Sequence, residues 1–229
     1  MQNGRPAVEN RSTATRSGRI PLGWRIGLTL GVVLLPGAVL GDRVLLAALR
    51  PDAGSWIVEV MQWWTWLGYG LVDIAVPLTI GLVAWHRGER ETVRRGMLGA
   101  LAVTAAGLLG QVAKNALCRA RPNADAPGVF LSGFPCFPAP YALSSFPSGH
   151  ATTAFALATL LSLWYPRWTA VWLFLATGVG WSRIVLGSHF PSDVLGGAAL
   201  GVAVVLVMQR WVSEPGKCKT DNGQPTTGQ

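Results

Sequence analysis

Residues 147–165 read Pro147-Ser-Gly-His-Ala-Thr-Thr-Ala-Phe-Ala-Leu-Ala-Thr-Leu-Leu-Ser-Leu-Trp-Tyr165. Polar and turn-forming residues open this segment, and an apolar run of nearly the length of a membrane span follows. Two other segments of the chain place polar motifs beside apolar sequence in the same way. Charged groups cost about 2.5–3.5 kcal/mol each at the centre of an inserted helix. The retention of polar groups beside apolar helices therefore indicates that they serve a function.

The composition is that of an integral membrane protein. The 229 residues are 50% hydrophobic and only 13% charged, whereas soluble domains carry about 25% charged residues. The net charge of +8 does not indicate a nucleic-acid partner, because the basic residues form no stripe. They lie beside apolar segments, as signals of membrane topology do.

The hydropathy pattern predicts an all-α membrane protein, a bundle of six transmembrane helices with a short extracytoplasmic interfacial helix. The polar ends, 1–20 and 213–229, are predicted to be disordered cytoplasmic tails on either side of a membrane domain at 21–212. The interfacial helix is predicted within 42–65. The six spans are predicted near 24–41, 66–86, 96–117, 149–165, 167–186 and 192–212.

An even number of spans places both termini on one side of the membrane. Most of the 19 Lys and Arg residues lie on that side, so it is predicted to be cytoplasmic. The same topology places Lys114, His150, Arg183 and His189 together on the opposite side. A multi-pass plasma membrane protein with an extracytoplasmic site is therefore expected, and the short loops and small size favour a bacterial inner membrane.

Three motifs carry the polar groups, and their residue types suit the binding of a phosphate. Arg presents a planar fork to two phosphate oxygens, and Lys supplies a point charge. Ser148 and Gly149 open a helix, whose free N–H groups bind anions. The motifs are Lys114-Asn-Ala-Leu-Cys-Arg-Ala-Arg121-Pro122, Pro147-Ser-Gly-His150 and Ser182-Arg183-Ile-Val-Leu-Gly-Ser-His189-Phe-Pro-Ser-Asp193.

The two motif histidines can perform the chemistry. A neutral imidazole can attack phosphorus and form a covalent phosphohistidine. Asp193 follows His189 by four residues, a spacing that allows it to orient the imidazole. His189 is therefore the predicted nucleophile. His150 is the predicted general acid, and in the second step the general base that activates water.

The pattern Lys-x6-Arg-Pro, Pro-Ser-Gly-His and Ser-Arg-x5-His-x3-Asp resembles the type 2 phosphatidic acid phosphatase superfamily. The motifs cover 114–193, and the predicted spans extend the resemblance over roughly 20–212. The resemblance implies catalysis by His189, His150 and Asp193 without a metal or another cofactor. It implies that phosphate is held by Lys114, Arg121, Ser148, Gly149 and Arg183.

The substrate predicted from the site is a lipid phosphate or diphosphate, because an apolar, Pro-containing loop at 123–147 adjoins the motifs. Undecaprenyl diphosphate, phosphatidylglycerophosphate, phosphatidic acid and lipid A 1-phosphate all remain candidates. A lipid-to-lipid phosphotransferase is the nearest alternative function. A lipid phosphate transporter and a haloperoxidase are disfavoured, the first because no inverted repeat is evident and the second because the haloperoxidases of the family are soluble.

The sequence leaves several residues with two interpretations. Arg119 is expected to contact either a lipid headgroup or solvent. Asp73 is expected to be neutral and hydrogen-bonded to a neighbouring helix, with a functional role as the alternative. Cys118 and Cys136 either form a disulfide or remain thiols. A zinc site is disfavoured because three cations lie near the histidines, and the oligomeric state is left open.

Overall fold

The computed structural model describes residues 21–130 and 136–213, and side chains as far as residue 209. Seven α-helices and no β-strand occur in those residues, which confirms the predicted all-α class. The predicted tails at 1–20 and beyond residue 213 lie outside the described residues. The helices are α1 (Leu22–Leu49), α2 (Trp56–Trp64), α3 (Gly70–His86), α4 (Arg90–Leu117), α5 (Gly149–Trp164), α6 (Thr169–Val185) and α7 (Pro191–Ser213).

Helix α5 lies at the centre of the bundle and packs against α3, α4, α6 and α7. Its core contacts are made by small and branched side chains, because the helices approach one another closely. Two hydroxyls of α5 are paired within the helix: those of Thr159 and Ser162 donate to the carbonyls of Phe155 and Ala158. Back-bonding of this kind lets a hydroxyl occupy an apolar environment.

Glycines set the two closest helix contacts. A Cβ on Gly96 of α4 would lie 2.7 Å from the Cα of Gly81 on α3. Gly197 and Gly201 of α7 lie against α5, and a Cβ on Gly201 would collide with the carbonyl oxygen of Thr152. The small-xxx-small spacing of Gly96 with Ala100 and of Gly197 with Gly201 predicts helix packing at these positions, and the structure confirms it for the three glycines.

Within the described part of the chain, three helices are long and apolar enough to cross a membrane by themselves: α1, α4 and α7. The segments Trp56–Gly68 and Gly70–His86 pass the same test together, with a bend of 52° between them. Helices α5 and α6 contain 16 and 17 residues, fewer than the roughly 20 that a straight span needs. The chain is therefore a helical membrane protein, and the count of six spans and the interfacial position of α2 remain predictions.

The end of the first helix differs from the prediction. Residues 42–49 were expected to belong to an interfacial helix, but they extend α1 to Leu49. This segment contains no helix-breaking residue, and the Asp42 side chain is buried in an ion pair with Arg119, which holds this end of α1 against the bundle. Helix α2 begins after Ser55, whose hydroxyl accepts a hydrogen bond from the Ile57 amide at 3.3 Å.

The connection between α4 and α5 is fastened to the end of α4. Cys118, in the left-handed conformation (φ 45°), ends the helix, and it forms a disulfide with Cys136, one of the two alternatives above. The Arg121 amide donates to the Ala142 carbonyl at 2.8 Å, and the Ser145 amide donates to the Arg119 carbonyl at 3.0 Å. The connection therefore returns the chain to α4 just before α5 begins.

The contact between α5 and α7 should be sensitive to one methyl group. Gly201→Ala is expected to destabilise the protein by about 1–3 kcal/mol, because the new Cβ forces two backbones apart. Gly27→Ala on α1, where no atom lies within 4 Å of the new Cβ, is the matched control. The midpoint of thermal unfolding in detergent should fall for Gly201→Ala alone, and equal midpoints would show that the contact is looser than described.

Candidate active site

The residues singled out from the three motifs meet at one end of the bundle. Lys114 lies in the last turn of α4, His150 in the first turn of α5, Arg183 in the last turn of α6 and His189 just before α7. His150 interacts electrostatically with Arg183, His189, Lys114 and Arg121. Segments that are distant in sequence thus form a single basic pocket.

Arg121 is held in a fixed orientation by groups outside its own motif. Its Nε donates to the Tyr141 carbonyl at 2.8 Å, and its Nη1 donates to the Ser188 carbonyl at 2.9 Å. The guanidinium also lies over the Tyr141 ring, 3.8 Å from its centroid. Tyr141 is a site residue that the sequence analysis missed, because it was counted only among the apolar residues of a loop.

Two nitrogen atoms of the Arg183 guanidinium differ in their contacts. Its Nη1 donates to the Thr65 hydroxyl at 2.8 Å, which ties α6 to the 3₁₀ turn before α3. Its Nε is buried and has no hydrogen-bond partner among the described residues. This donor is therefore available for an anion.

The first turn of α5 brings further hydrogen-bond donors next to these cations. Ser148 is fully buried, and its amide donates to the Asp193 carbonyl oxygen at 2.9 Å. Its hydroxyl has no partner within the described part of the chain. A Cβ on Gly149 would lie 3.6 Å from the Nζ atom of Lys114, so the ammonium group lies beside the helix start. Free amides, a free hydroxyl and a cation are the donors that a phosphate requires.

His189 lies within the pocket and is 1% exposed. The preceding turn contains Gly187 at φ +62°, a conformation that favours glycine, and the His189 amide donates to the Arg183 carbonyl at 3.2 Å. The Nδ1 atom lies 3.6 Å from Oδ2 of Asp193, which is longer than a hydrogen bond. The predicted pair is therefore brought together without being bonded in this state; such bonds often tighten only when substrate is present.

The Asp193 carboxylate is buried and held from several sides. Its Oδ2 accepts hydrogen bonds from the Phe190 amide at 2.8 Å and from the Ser145 hydroxyl. Its Oδ1 accepts from Nη1 of Arg119 at 2.6 Å. The sequence does not predict a role for Ser145, because a serine outside the motifs carries no signal of function. These bonds fix the carboxylate that faces His189.

Arg119 contacts neither a headgroup nor solvent, so both expectations for it are wrong. The side chain is buried, with 2% of its surface exposed. It lies between two carboxylates, which compensate the charge that burial would otherwise destabilise. Its contacts are with Asp42, Gly128, Ser192 and Asp193 by hydrogen bonds and with the rings of Phe130 and Phe190.

Asp73 is buried within α3, and neither of its oxygens has a hydrogen bond of normal geometry. The hydroxyl of Thr153 on α5 is near enough to interact with it, but that hydroxyl also approaches the carbonyls of Gly68 and Gly149 at 3.4 and 3.3 Å. The hydrogen bond that was expected between Asp73 and a neighbouring helix is therefore absent from this geometry, although Thr153 is close enough to form it. Asp73 also lines an apolar cavity of about 270 Å³ between α3, α5 and α6.

No group of three or more His, Cys, Asp or Glu side chains that could hold a metal ion occurs in residues 21–130 and 136–213. The donors that converge on the pocket are instead cations, amides and a hydroxyl. This set matches an anion rather than a metal ion.

Comparison with known proteins agrees with this arrangement. Residues 95–217 match the family model of the PAP2 superfamily. A lipid A 1-phosphatase of Rhizobium johnstonii is 30% identical over 85% of this chain and 83% of its own length. Phosphatidylglycerophosphatase B of Bacillus subtilis is 31% identical over 67% of this chain and 74% of its own length.

The fold agrees with a solved structure as well. The crystal structure of a transmembrane PAP2 type phosphatidylglycerolphosphate phosphatase from Bacillus subtilis has a TM-score of 0.62 and 27% identity, covering 85% of this chain and 98% of that one. The chain belongs to the PAP2 superfamily, and the family expected from the motifs is confirmed.

Burial gives His189 a protonation state that can be measured. It lowers the pKa of His189 to about 4, because the buried imidazole loses the hydration of its charged form. The Asp193 carboxylate raises the pKa of His189, whereas the Arg121 and Lys114 cations lower it further. A histidine with a pKa near 4 is neutral at any pH well above that value.

We therefore expect the ring signals of His189 to titrate with a midpoint near pH 4 in NMR spectra of histidine-labelled protein in detergent. The chain contains 3 His, so loss of one signal in His189→Gln identifies it. A midpoint at or above the ordinary histidine value of about 6.5 would contradict the buried, cation-lined environment.

Proposed function

We propose that this protein hydrolyses a phosphoryl group from a membrane lipid on the extracytoplasmic leaflet through a phosphohistidine at His189. The observation that carries the proposal is the buried pocket in which a neutral imidazole faces cations and unpartnered donors. Membership of the PAP2 superfamily and relatives named as lipid phosphatases support the same class of reaction. The chain is thus a PAP2-type membrane lipid phosphatase.

In the first step, the phosphoryl group binds between Lys114, Arg121, Arg183 and the first turn of α5. Nδ1 of His189 faces Asp193, which leaves Nε2 as the attacking atom. The Nε2 lone pair forms the N–P bond while the P–O bond to the lipid breaks. His150 donates its proton to the departing lipid oxygen. The cations and the N–H groups stabilise the charge that spreads over the phosphoryl oxygens.

In the second step, His150 accepts a proton from water as the water oxygen attacks phosphorus. The N–P bond breaks, its electron pair returns to His189, and inorganic phosphate leaves. Asp193 keeps the imidazole in the required tautomer in both steps. We propose that this sequence needs no metal ion, so that phosphate release should persist after exhaustive chelation.

A lipid substrate is supported by the apolar surface around the pocket. Phe137 and Tyr141 are 78% and 65% exposed, and Val129 and Phe130 are exposed as well; Leu131 and Phe134 lie outside the described residues. These side chains suit a molecule that arrives sideways from the bilayer. Lipid A 1-phosphate has the support of the Rhizobium relative and phosphatidylglycerophosphate that of the Bacillus relative. Undecaprenyl diphosphate and phosphatidic acid remain candidates.

We also propose six membrane spans, formed by α1 and α3–α7, with both termini in the cytoplasm, α2 at the outer interface and the pocket on the outer side of a bacterial inner membrane. The distribution of basic residues supports this orientation. So does the disulfide beside the pocket, because disulfides persist in oxidising compartments.

Purified protein should release phosphate from at least one member of a panel of the four candidate lipids. His189→Gln should lower the rate by at least about 10³-fold, because the covalent route is lost. His86→Gln, at an exposed site at the end of α3, should keep the wild-type rate. Equal rates for all three proteins would refute the role of His189. Labelled phosphate in a second lipid would identify a phosphotransferase, and intact lipid throughout would contradict both reactions.

The orientation can be tested with the 3 Cys residues of the chain. Intact bacterial spheroplasts that are treated with a membrane-impermeant reductant and then an impermeant thiol reagent should be labelled at Cys136, because its disulfide partner Cys118 is buried. Cys218, in the predicted cytoplasmic tail, should react only after the membrane is permeabilised. Labelling of Cys218 alone in intact spheroplasts would invert the proposed topology.

A further inference from the structure

Two buried residues next to the catalytic groups have no part in the steps above: Asp42 on α1 and Arg119 in the loop after α4. We propose that they are positioning residues, which together hold the Asp193 carboxylate in place and set the strength of its action on His189. The proposal rests on the function proposed above, because it assigns Asp42 and Arg119 a role in the same reaction.

Arg119 makes the contacts that a positioning residue requires. Its Nη1 donates to Oδ1 of Asp193 and to the Ser192 hydroxyl, both at 2.6 Å. Its Nη2 donates to the Asp42 carboxylate. One guanidinium therefore bridges two carboxylates, and it holds the Asp193 oxygen that does not face His189.

Asp42 extends this arrangement to the first helix. Its Oδ1 accepts from the Ser192 amide at 2.9 Å, and its Oδ2 accepts from the Ser192 hydroxyl. A carboxylate at this position accepts a hydrogen bond from a free amide in the first turn of α7. Its negative charge also interacts favourably with the positive end of the helix dipole. Asp42 lies outside residues 95–217 that match the family model.

A purely structural role does not account for the choice of charged residues. Arg119, Asp42 and Asp193 are 2%, 3% and 0% exposed. Burial of ions is costly, and well-packed apolar residues of similar volume often stabilise a protein equally or better. Apolar residues could join α1 to α7, but they could not fix the direction and the effective charge of Asp193.

Removal of Arg119 and removal of Asp42 should shift the pKa of His189 in opposite directions. The Asp193 carboxylate raises the pKa of His189 against the larger effect of burial. Without the Arg119 cation, the negative charge of Asp193 is less compensated and the pKa of His189 rises. Without the Asp42 anion, Arg119 compensates Asp193 more fully and the pKa of His189 falls. A scaffold role predicts no such opposite shifts.

The test compares Arg119→Gln, Arg119→Lys and Asp42→Asn with wild type in phosphate release at pH 3–8. The acid limb of kcat/KM should move to higher pH in Arg119→Gln and to lower pH in Asp42→Asn, because this limb reports the protonation of His189 in the free enzyme. Both variants should lose kcat by about 10–100-fold, the range found when a hydrogen-bond partner that orients a metal-ligating histidine is removed. KM should change little, since neither residue touches the phosphate.

Arg119→Lys separates charge from position. A lysine keeps the cation but cannot reproduce the fork that bridges two carboxylates, so kcat should fall while the acid limb stays near that of wild type. Arg43→Gln, at the exposed neighbour of Asp42, is the matched control and should behave as wild type. If Arg119→Gln does not fold, Arg119→Lys and Asp42→Asn still carry the test.

The NMR titration of His189 in the same variants gives a readout that does not need turnover. Opposite shifts of its midpoint in Arg119→Gln and Asp42→Asn support the proposal, whether or not wild type releases phosphate. Absence of phosphate release from wild type would refute the proposed function instead. Equal losses of rate in these two variants, with unchanged acid limbs and unchanged His189 midpoints, would overturn the proposal and leave the cluster as a scaffold.

Discussion

The Arg119 guanidinium between Asp42 and Asp193 is the contact on which the geometry of the pocket depends. It joins the end of α1, the loop that follows α4 and the first turn of α7, which are far apart in sequence. The loop places Arg121, the turn before α7 places His189, and α7 carries Asp193. If the three charges were not compensated within the protein, their burial would be strongly unfavourable, and these segments would separate. The position of His189, the proposed nucleophile, therefore depends on a cation that has no place in the proposed phosphate-binding set.

The polar groups of the pocket lie at the ends of the helices rather than at their centres. A phosphate needs several cations and free N–H groups, but such groups are unfavourable inside a bilayer. The bundle places them where four helices begin or end, and helix termini already carry unpaired backbone groups there. Buried hydroxyls that bond back to their own helix allow α5 to pass through the centre of the bundle. The polar site and the apolar core are thus supplied by different parts of the same helices.

Much of this arrangement could be predicted from the sequence, because local signals carry it. The motifs around Lys114, His150 and His189 each adjoin an apolar run, and the parity of the runs places them at one end of the bundle. Gly96 with Ala100, and Gly197 with Gly201, have the small-xxx-small spacing of close helix packing, and Gly96 and Gly201 both mark close helix contacts. The family followed from the motif pattern, and the family comparison confirmed it.

The remaining features depend on contacts between distant residues, which spacing does not reveal. Asp42 and Arg119 lie 77 residues apart, so nothing local indicated that they form a pair or that Asp42 extends α1. Tyr141 and Ser145 belong to a loop whose path is set by the bonds to Arg119 and Arg121 and by the disulfide. The same side chains would be ordinary loop residues in another fold.

The central claim is that His189 becomes covalently phosphorylated during turnover, and a rapid alkaline quench tests it most directly. Protein mixed with lipid substrate labelled in its phosphate, quenched within milliseconds and digested under alkaline conditions, should yield one phosphorylated peptide. The account predicts an acid-labile, base-stable phosphate on the imidazole of His189. With a substrate whose leaving group departs without a general acid, the phosphate should be more abundant in His150→Ala, because only water attack is then slowed. Phosphate on Ser148 or another residue, or turnover with no labelled protein at any time, would contradict it.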